Sequence, residues 1–358
     1  MDFDKLVSLN NLFRSWKEFK RDKSNRLDVL KFENNLEDNI FSLHRDLQSG
    51  SYRHGPYKTF FINDPKPRKI NKASVRDRLI HHLIFEELYD VFEPSFIFHS
   101  YSSRIFKGTH LAVANLSKSL RKVSCNYSRN AFVLKCDIKK FFASINHQKL
   151  LGIIKRKIKD EKFLWLIEKI IESFAFPVDN FPQREREREL NDDAIKFGLP
   201  IGNVTSQIFA NIYLNELDQF IKHQLKARHY FRYADDFAVV HEDAEYLKDI
   251  LINVDCFLRH ELGLQLHPNK VEIRKFNQGI DFLGYVVLPH YTVLRIKTQR
   301  RMFRKMRVKK ELLDGDLIDE EAFNQSLQSY LGILSHCQGH KVGMKLRKDL
   351  GLKEETLA

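Results

Sequence analysis

The stretch Tyr233-Ala234-Asp235-Asp236 sets two adjacent carboxylates between apolar runs, Tyr230-Phe231-Arg232 before and Phe237-Ala238-Val239-Val240 after. This pattern predicts strand, tight turn, strand, with the acids at the turn. Neighbouring aspartates repel, so a folded chain that keeps both usually sets a cation against them. Taken alone, the motif is equally an ordinary Asp-containing hairpin turn.

A second apolar strand, Phe132-Val133-Leu134-Lys135-Cys136, ends in Asp137 and continues through Ile138-Lys139-Lys140 into Phe141-Phe142. Three carboxylates at the ends of two adjacent strands suit a pair of Mg²⁺ ions gripping a nucleoside triphosphate. One ion activates an attacking 3′ hydroxyl and the other neutralises the leaving pyrophosphate. Hard cations take oxygen ligands. Neither His81-His82 nor His336-Cys337 with His340 offers four ligands at a zinc spacing, which leaves them as packed or capping side chains. Asp137, Asp235 and Asp236 together predict polymerase chemistry.

The elements that must position these acids follow from patterning. Residues 1–60 read as helical, with Trp16, Phe19, Phe32, Leu36, Ile40 and Leu43 as packing residues, up to the break at Gly50-Ser51 through Gly55-Pro56. A basic segment with Lys66, Arg68, Lys69, Lys72, Arg76 and Arg78 leads into an amphipathic helix carrying Leu79, Ile80, Leu83, Ile84, Leu88 and Val91. Ser100 to His110 is a polar loop, 150–176 is helical, and 183–190 alternates Arg and Glu as a solvated insertion. Gly198 to Gly202 is a turn onto a helix starting near Thr205. Another helix covers 244–262, a strand 281–287, and the tail is helical from about Thr298.

The chain has 358 residues, 43% of them hydrophobic, enough for two or three subdomains with a substantial core. Its 60 basic and 47 acidic residues leave +13, and the pI of 9.4 points to a polyanionic partner. Four scattered cysteines (125, 136, 256 and 337) fit reduced thiols. No signal peptide or apolar run of membrane-spanning length is visible, so a cytoplasmic protein without a membrane partner is expected.

In order along the chain these pieces resemble the reverse transcriptase family over roughly 66–340. Asp137 stands at the first catalytic Asp, and Tyr233-Ala234-Asp235-Asp236 at the second box. Ser100-Tyr101-Ser102-Ser103-Arg104 with Lys107-Gly108 is similar to the loop that grips the triphosphate. Leu262-Gly263-Leu264 through Lys270 resembles the segment after the catalytic hairpin, and Phe282-Leu283-Gly284-Tyr285 the primer grip. Gly202-Asn203-Val204-Thr205-Ser206-Gln207 carries Ser-Gln where intron-type and retron-type enzymes usually carry Ser-Pro. That form resembles the reverse transcriptases of diversity-generating retroelements. Tyr330-Leu331-Gly332 with Ser335-His336-Cys337 is similar to the end of that subfamily's thumb, with Gln338-Gly339-His340 a departure from it. The chain ends without a maturase or endonuclease extension, which argues against a mobile intron enzyme.

The resemblance implies an α+β right-hand polymerase. Fingers come from 1–132 together with 151–197, a palm with an antiparallel sheet from 133–288, and a helical thumb from 289–358. It implies RNA-directed DNA synthesis with two Mg²⁺, or Mn²⁺ in substitution, on an RNA template and cDNA or primer strand with dNTPs. Ile138 joins the three Asp at the metals. Phe142 would exclude a 2′ hydroxyl, with a core Phe as the alternative. Arg104 and Lys107 would hold the β and γ phosphates, or else form a solvated loop. Lys270 would protonate the departing pyrophosphate, or be an exposed Lys. Gln207 would lie near the nascent base pair, or be a surface Gln.

Arg295 to Lys310 holds nine basic residues and no acid, with Met302, Phe303, Met306 and Leu313 at helical spacing. Packing that apolar side on the palm would turn Arg295, Lys297, Arg300, Arg301 and Arg304 toward nucleic acid, alongside Lys69, Arg76 and Arg78. The subfamily also implies a small basic accessory variability protein and error-prone copying of a template-repeat RNA. A phage-defence reverse transcriptase and a non-catalytic RNA-binding protein on a polymerase scaffold are the alternatives.

Overall fold

The computed structural model describes residues 2–64, 66–176 and 196–352, so the Arg/Glu-alternating segment 183–190 lies outside the described residues. In chain order come α1 (Phe3–Leu6), α2 (Leu9–Lys20), α3 (Leu27–Glu33), α4 (Leu36–Gln48), β1 (Lys58–Ile62), β2 (Arg68–Lys72) and α5 (Val75–Phe92). Then follow α6 (Thr109–Val123), β3 (Phe132–Asp137), α7 (Phe141–Ser144), α8 (His147–Lys157), α9 (Glu161–Glu172) and α10 (Val204–Gln219). The hairpin around Asp235 is β4 (His229–Tyr233) and β5 (Asp236–His241), followed by α11 (Ala244–Phe257) and β6 (Glu272–Lys275). The chain closes with β7 (Ile280–Phe282), β8 (Tyr285–Leu288), β9 (Tyr291–Leu294), α12 (Ile296–Asp314), α13 (Glu320–Leu334) and α14 (His340–Asp349).

Two compact units share these elements. The first comprises Met1–Ser103, Asp137–Lys226 and Ile252–Pro268, the second Arg104–Cys136, Ala227–Leu251 and Asn269–Ala358. In the first unit α10 is the central helix. Ile208, Phe209, Ile212, Tyr213, Leu214 and Leu217 are all buried, which leaves it apolar on nearly every side, and it packs on α5 and α8. Helix starts are capped as their sequences dictate. Ser74 accepts from the Asp77 N–H at α5, and Asp160 from the Phe163 N–H at α9. Asp160 also ends the break at Ile158–Asp160, which divides the single expected helix over 150–176 into α8 and α9.

β1 and β2 form an antiparallel ribbon with Phe60 opposite Ile70 and Phe61 opposite Lys69. The basic segment before α5 is therefore one strand of a hairpin. The second unit holds a four-stranded sheet in the order β4-β5-β3-β6, with α6 packed on β4 and β5. A three-stranded sheet, β7-β8-β9, follows. The chain turns at Pro289 and His290, the latter at φ +73°, into β9 rather than straight into a helix. The fold is α+β with antiparallel sheets, as expected.

Candidate active site

The two acids of the hairpin sit as the sequence predicts. Tyr233 pairs with Asp236, so Ala234 and Asp235 are the two loop residues between β4 and β5. Ala234 adopts φ +51°, a conformation that L residues enter at a cost of about 1–2 kcal/mol. Beneath the turn, Arg232 is fully buried, and its Nη1 donates to the Ala234 carbonyl at 3.3 Å. The strand order makes β3 the neighbour of β5, so the strand that ends in Asp137 lies beside the strand that Asp236 opens.

Beyond Asp137 the backbone is held by the 265–267 segment. The Lys139 N–H donates to the Gln265 carbonyl at 2.8 Å, and the His267 N–H to the Asp137 carbonyl at 2.8 Å. The Ile138–Leu266 bridge between them is thus a non-hydrogen-bonded pair, and the Ile138 C=O points away from that segment. Asp137, Asp235, Asp236 and the Ile138 carbonyl each offer oxygen, the donor that a hard divalent cation takes.

Lys140, at φ +47°, turns the chain into α7. Phe141 is buried at 2% exposure, while Phe142 is half-buried. The Leu199 N–H donates to the Phe142 carbonyl at 2.8 Å, and the Gly198 N–H to the Ile145 carbonyl at 2.8 Å. A Cβ on Gly198 would stand 2.2 Å from Phe176 Cδ2, so this close approach requires glycine.

Gln207 is exposed on the first turn of α10, while Thr205 and Ser206 are buried. Ser206 Oγ donates to the Pro200 carbonyl at 2.7 Å. Asn203 copies a strand partner, taking the Ala73 N–H on Oδ1 and donating Nδ2–H to the Asn71 carbonyl. A histidine chain supports the same helix start. His54 Nδ1 meets the Gly55 carbonyl at 2.6 Å, His54 Nε2 meets His81 Nε2 at 3.0 Å, and His81 Nδ1 meets Thr205 Oγ1 at 2.5 Å. The carbonyl requires a proton on His54 Nδ1, so His81 donates from Nε2 and accepts from the Thr205 hydroxyl. Burial pushes His81 down to about 3 and also lowers His54, which keeps both rings neutral.

The remaining expected residues are spread over both units. Arg104 and Lys107 stand at the two ends of one turn, the Lys107 N–H donating to the Arg104 carbonyl, with Ile105 and Phe106 62% and 95% exposed at its tip. Lys270 is exposed just before β6, and Lys69 on β2 opposite Phe61. Arg76 pairs with Asp46 and lies over the Tyr52 ring. Arg78 pairs with Asp28 and lies over Phe19. Both guanidiniums thus join the N-terminal helices to α5. Arg295 pairs with Asp281, whereas Lys297, Arg300 and Arg304 are exposed on α12. That helix packs against α13 with Met302 and Met306 buried. Arg300, Arg304, Arg307 and Lys345 line an open groove of about 560 Å³ with Phe303 and Val308. Apart from these residues, Glu18, His82 and Glu86 bring three ligand atoms within 4.8 Å of one another, fewer than a closed structural zinc site needs.

Residues 62–287 match the family described as "Reverse transcriptase (RNA-dependent DNA polymerase)". The chain belongs to the reverse transcriptase family. As such it is an RNA-directed DNA polymerase, acting on an RNA template and primer with dNTPs, and its family draws on divalent metal ions. This reverse transcriptase is 26% identical over 301 residues to Protein YkfC of Escherichia coli K12, covering 74% of this chain and 73% of YkfC. It is 25% identical to the group II intron-encoded protein LtrA of Lactococcus lactis subsp. cremoris, over 78% of this chain and 54% of LtrA. The retron Ec73 reverse transcriptase of E. coli is 28% identical over 60% of this chain and 64% of its own length. A structure of apo telomerase from Candida tropicalis aligns over 72% of this chain and 59% of its own at 13% identity, with a TM-score of 0.45. None of the helices described in this reverse transcriptase is long and apolar enough to cross a membrane. Two features escaped sequence reasoning: the Arg232 contact under the turn and, in the other unit, the exposed Phe60 and Phe61 on β1. A single charge inside the apolar β4 was the available signal for the first.

Proposed function

We propose that the chain copies RNA into cDNA by two-metal deoxynucleotidyl transfer, with Asp137, Asp235 and Asp236 as the metal carboxylates and the Ile138 carbonyl as a further ligand. The observation that carries this reading is the strand order, which sets the strand ending in Asp137 next to the strand that Asp236 opens. Mg²⁺ held by these residues, or Mn²⁺ in its place, would supply Lewis acidity to the 3′ hydroxyl and neutralise charge on the pyrophosphate.

The chain's own side chains do the rest. Arg104 and Lys107, at the two ends of one turn, bind the β and γ phosphates. Phe142, half-buried beside the buried Phe141, rejects a 2′ hydroxyl by steric contact. Lys270 gives its proton to the departing pyrophosphate. Lys69, Lys297, Arg300 and Arg304 bind the template–primer backbone without reading sequence. Fingers, palm and thumb would correspond to 1–132 with 151–197, 133–288 and 289–358. Asp137→Asn and Asp235→Asn should each abolish extension of a primed RNA while RNA binding persists. Robust extension by either variant rules the assignment out.

Within the family, the Ser206-Gln207 pair supports a diversity-generating retroelement enzyme, which copies a template-repeat RNA with errors at adenines and works with a small basic accessory protein. Gln207 is exposed on the first turn of α10 while its neighbours are locked, so its amide is free to sample the nascent pair. Misincorporation should be higher opposite template adenine than opposite other bases, and Gln207→Pro should lower it there most, because Pro stiffens the helix start. Equal error rates opposite all four bases in the parent would count against this subfamily and leave the polymerase reading intact.

A further inference from the structure

We infer that Arg232 is a positioning residue, which holds the Ala234–Asp235 turn from inside the sheet so that the two acids keep one fixed spacing. The inference rests on the reading of Asp235 and Asp236 as metal carboxylates. It starts from the turn itself. Two-residue hairpins take φ above zero at the first loop position in type II′ geometry, which favours glycine there. This chain carries Ala234 at φ +51° instead. A conformation of that cost persists only where its surroundings over-determine it, and such strain collects at functional sites.

Arg232 is the surrounding group in question. It lies two residues before Ala234, opposite Phe237, in a strand whose residues Tyr230, Phe231 and Arg232 are all buried. Its own exposure is 0%, and its Nη1 donates to the Ala234 carbonyl at 3.3 Å. Arginine is almost never fully buried unless its charge is engaged, since taking a cation out of water is costly. It also keeps its proton at any working pH, so the donor is always present. An apolar side chain would fill a strand core at less cost. A cation directed at the carbonyl of a strained loop residue instead stops the peptide between Ala234 and Asp235 from rotating. Asp235 and Asp236 follow that peptide directly, so its orientation sets where their carboxylates stand. Held acids bind metal without reorganising, and looseness of about 1 Å at such a site costs on the order of 10²-fold in rate.

Arg232→Met, which keeps length and apolar bulk but removes every donor, separates positioning from packing. Primer extension on RNA should show kcat lower by about tenfold or more, with a raised Mg²⁺ concentration for half-maximal activity. RNA affinity, dNTP KM and the fraction folded should stay near the parent values. Arg232→Lys restores one charged donor with different reach and should recover part of both losses. A folded Arg232→Met with the parental kcat and Mg²⁺ response overturns the inference. Should Arg232→Met not fold, Arg232→Lys decides: a raised Mg²⁺ requirement supports positioning, and parental values refute it. Asp235→Asn is measured beside them. Activity in Asp235→Asn sinks the carboxylate reading together with this inference, whereas an inactive Asp235→Asn beside a parental Arg232→Met sinks this inference alone.

Discussion

Phe141 and Phe142 are adjacent and chemically identical, yet α7 buries the first and leaves the second half-buried, their ring centroids 5.3 Å apart. Backbone register makes the difference. Lys140 enters the left-handed region, and the Phe142 carbonyl is claimed by the Leu199 N–H, so the Phe142 ring cannot exchange places with Phe141. A fixed, accessible aromatic five residues after Asp137 is suited to steric selection of the sugar. Phe142→Ala should therefore raise ribonucleotide incorporation relative to deoxynucleotide by about tenfold or more, because one bulky contact in a pocket sets on the order of 1–3 kcal/mol of discrimination. A competition assay on primed RNA reads this directly. Unchanged discrimination would return Phe142 to a packing role.

Among the elements, the start of α10 is the most heavily supported. Gly202, at φ +118°, lets the turn before it lie against β2; a Cβ there would come 2.6 Å from Ile70 Cγ2. Gly202→Ala should cost about 1–3 kcal/mol through backbone strain and overpacking, read as a lower urea midpoint. An unchanged midpoint would mean that β2 yields freely. The histidine chain has a pH signature as well. Burial holds His81 near 3, below the ordinary histidine value of 6.5, so the unfolded chain takes up the proton first as pH falls. Stability from this group is present above pH 6.5 and is lost progressively on acidification toward pH 3, by up to about 1.4 kcal/mol per pH unit. His81→Gln should be less stable than the parent at pH 7.5, and the gap should narrow below pH 6. Parallel stability curves for the two proteins would refute the buried neutral imidazole.

For the whole molecule the charge of +13 predicts attraction to nucleic acid but not where it acts. Folding sorts the basic residues. Arg76, Arg78 and Arg295 are paired with Asp46, Asp28 and Asp281, while Lys297, Arg300 and Arg304 remain exposed along α12. Arg300→Glu with Arg304→Glu should weaken RNA and duplex binding alike across sequences. The slope of log K against log salt should flatten by about 0.7–0.9 for each phosphate that is no longer neutralised. The same charge reversal at Arg76 should act mainly on stability, because its partner is Asp46. A full salt slope in the α12 double variant would move the nucleic-acid track to another surface.

The family and much of the local structure were legible in the residues. Asp137 at a strand end, the hairpin around Asp235 and Asp236, the helix beginning beside Thr205 and the α+β class are all local patterns, set by alternation, turn residues and capping over a few positions. The strand Tyr291–Leu294 was not expected: the chain turns at Pro289 and His290, and β9 gains its hydrogen bonds from β8. The split between α8 and α9, the β1–β2 ribbon and α6 were likewise not read from the residues. Which of two neighbouring phenylalanines is the more buried and which arginines are neutralised by acids 30 to 50 positions away were decided only by tertiary structure. Each depends on a contact between residues that no spacing rule connects, and burial at those contacts determines whether a charge is held inside the fold or left for a ligand.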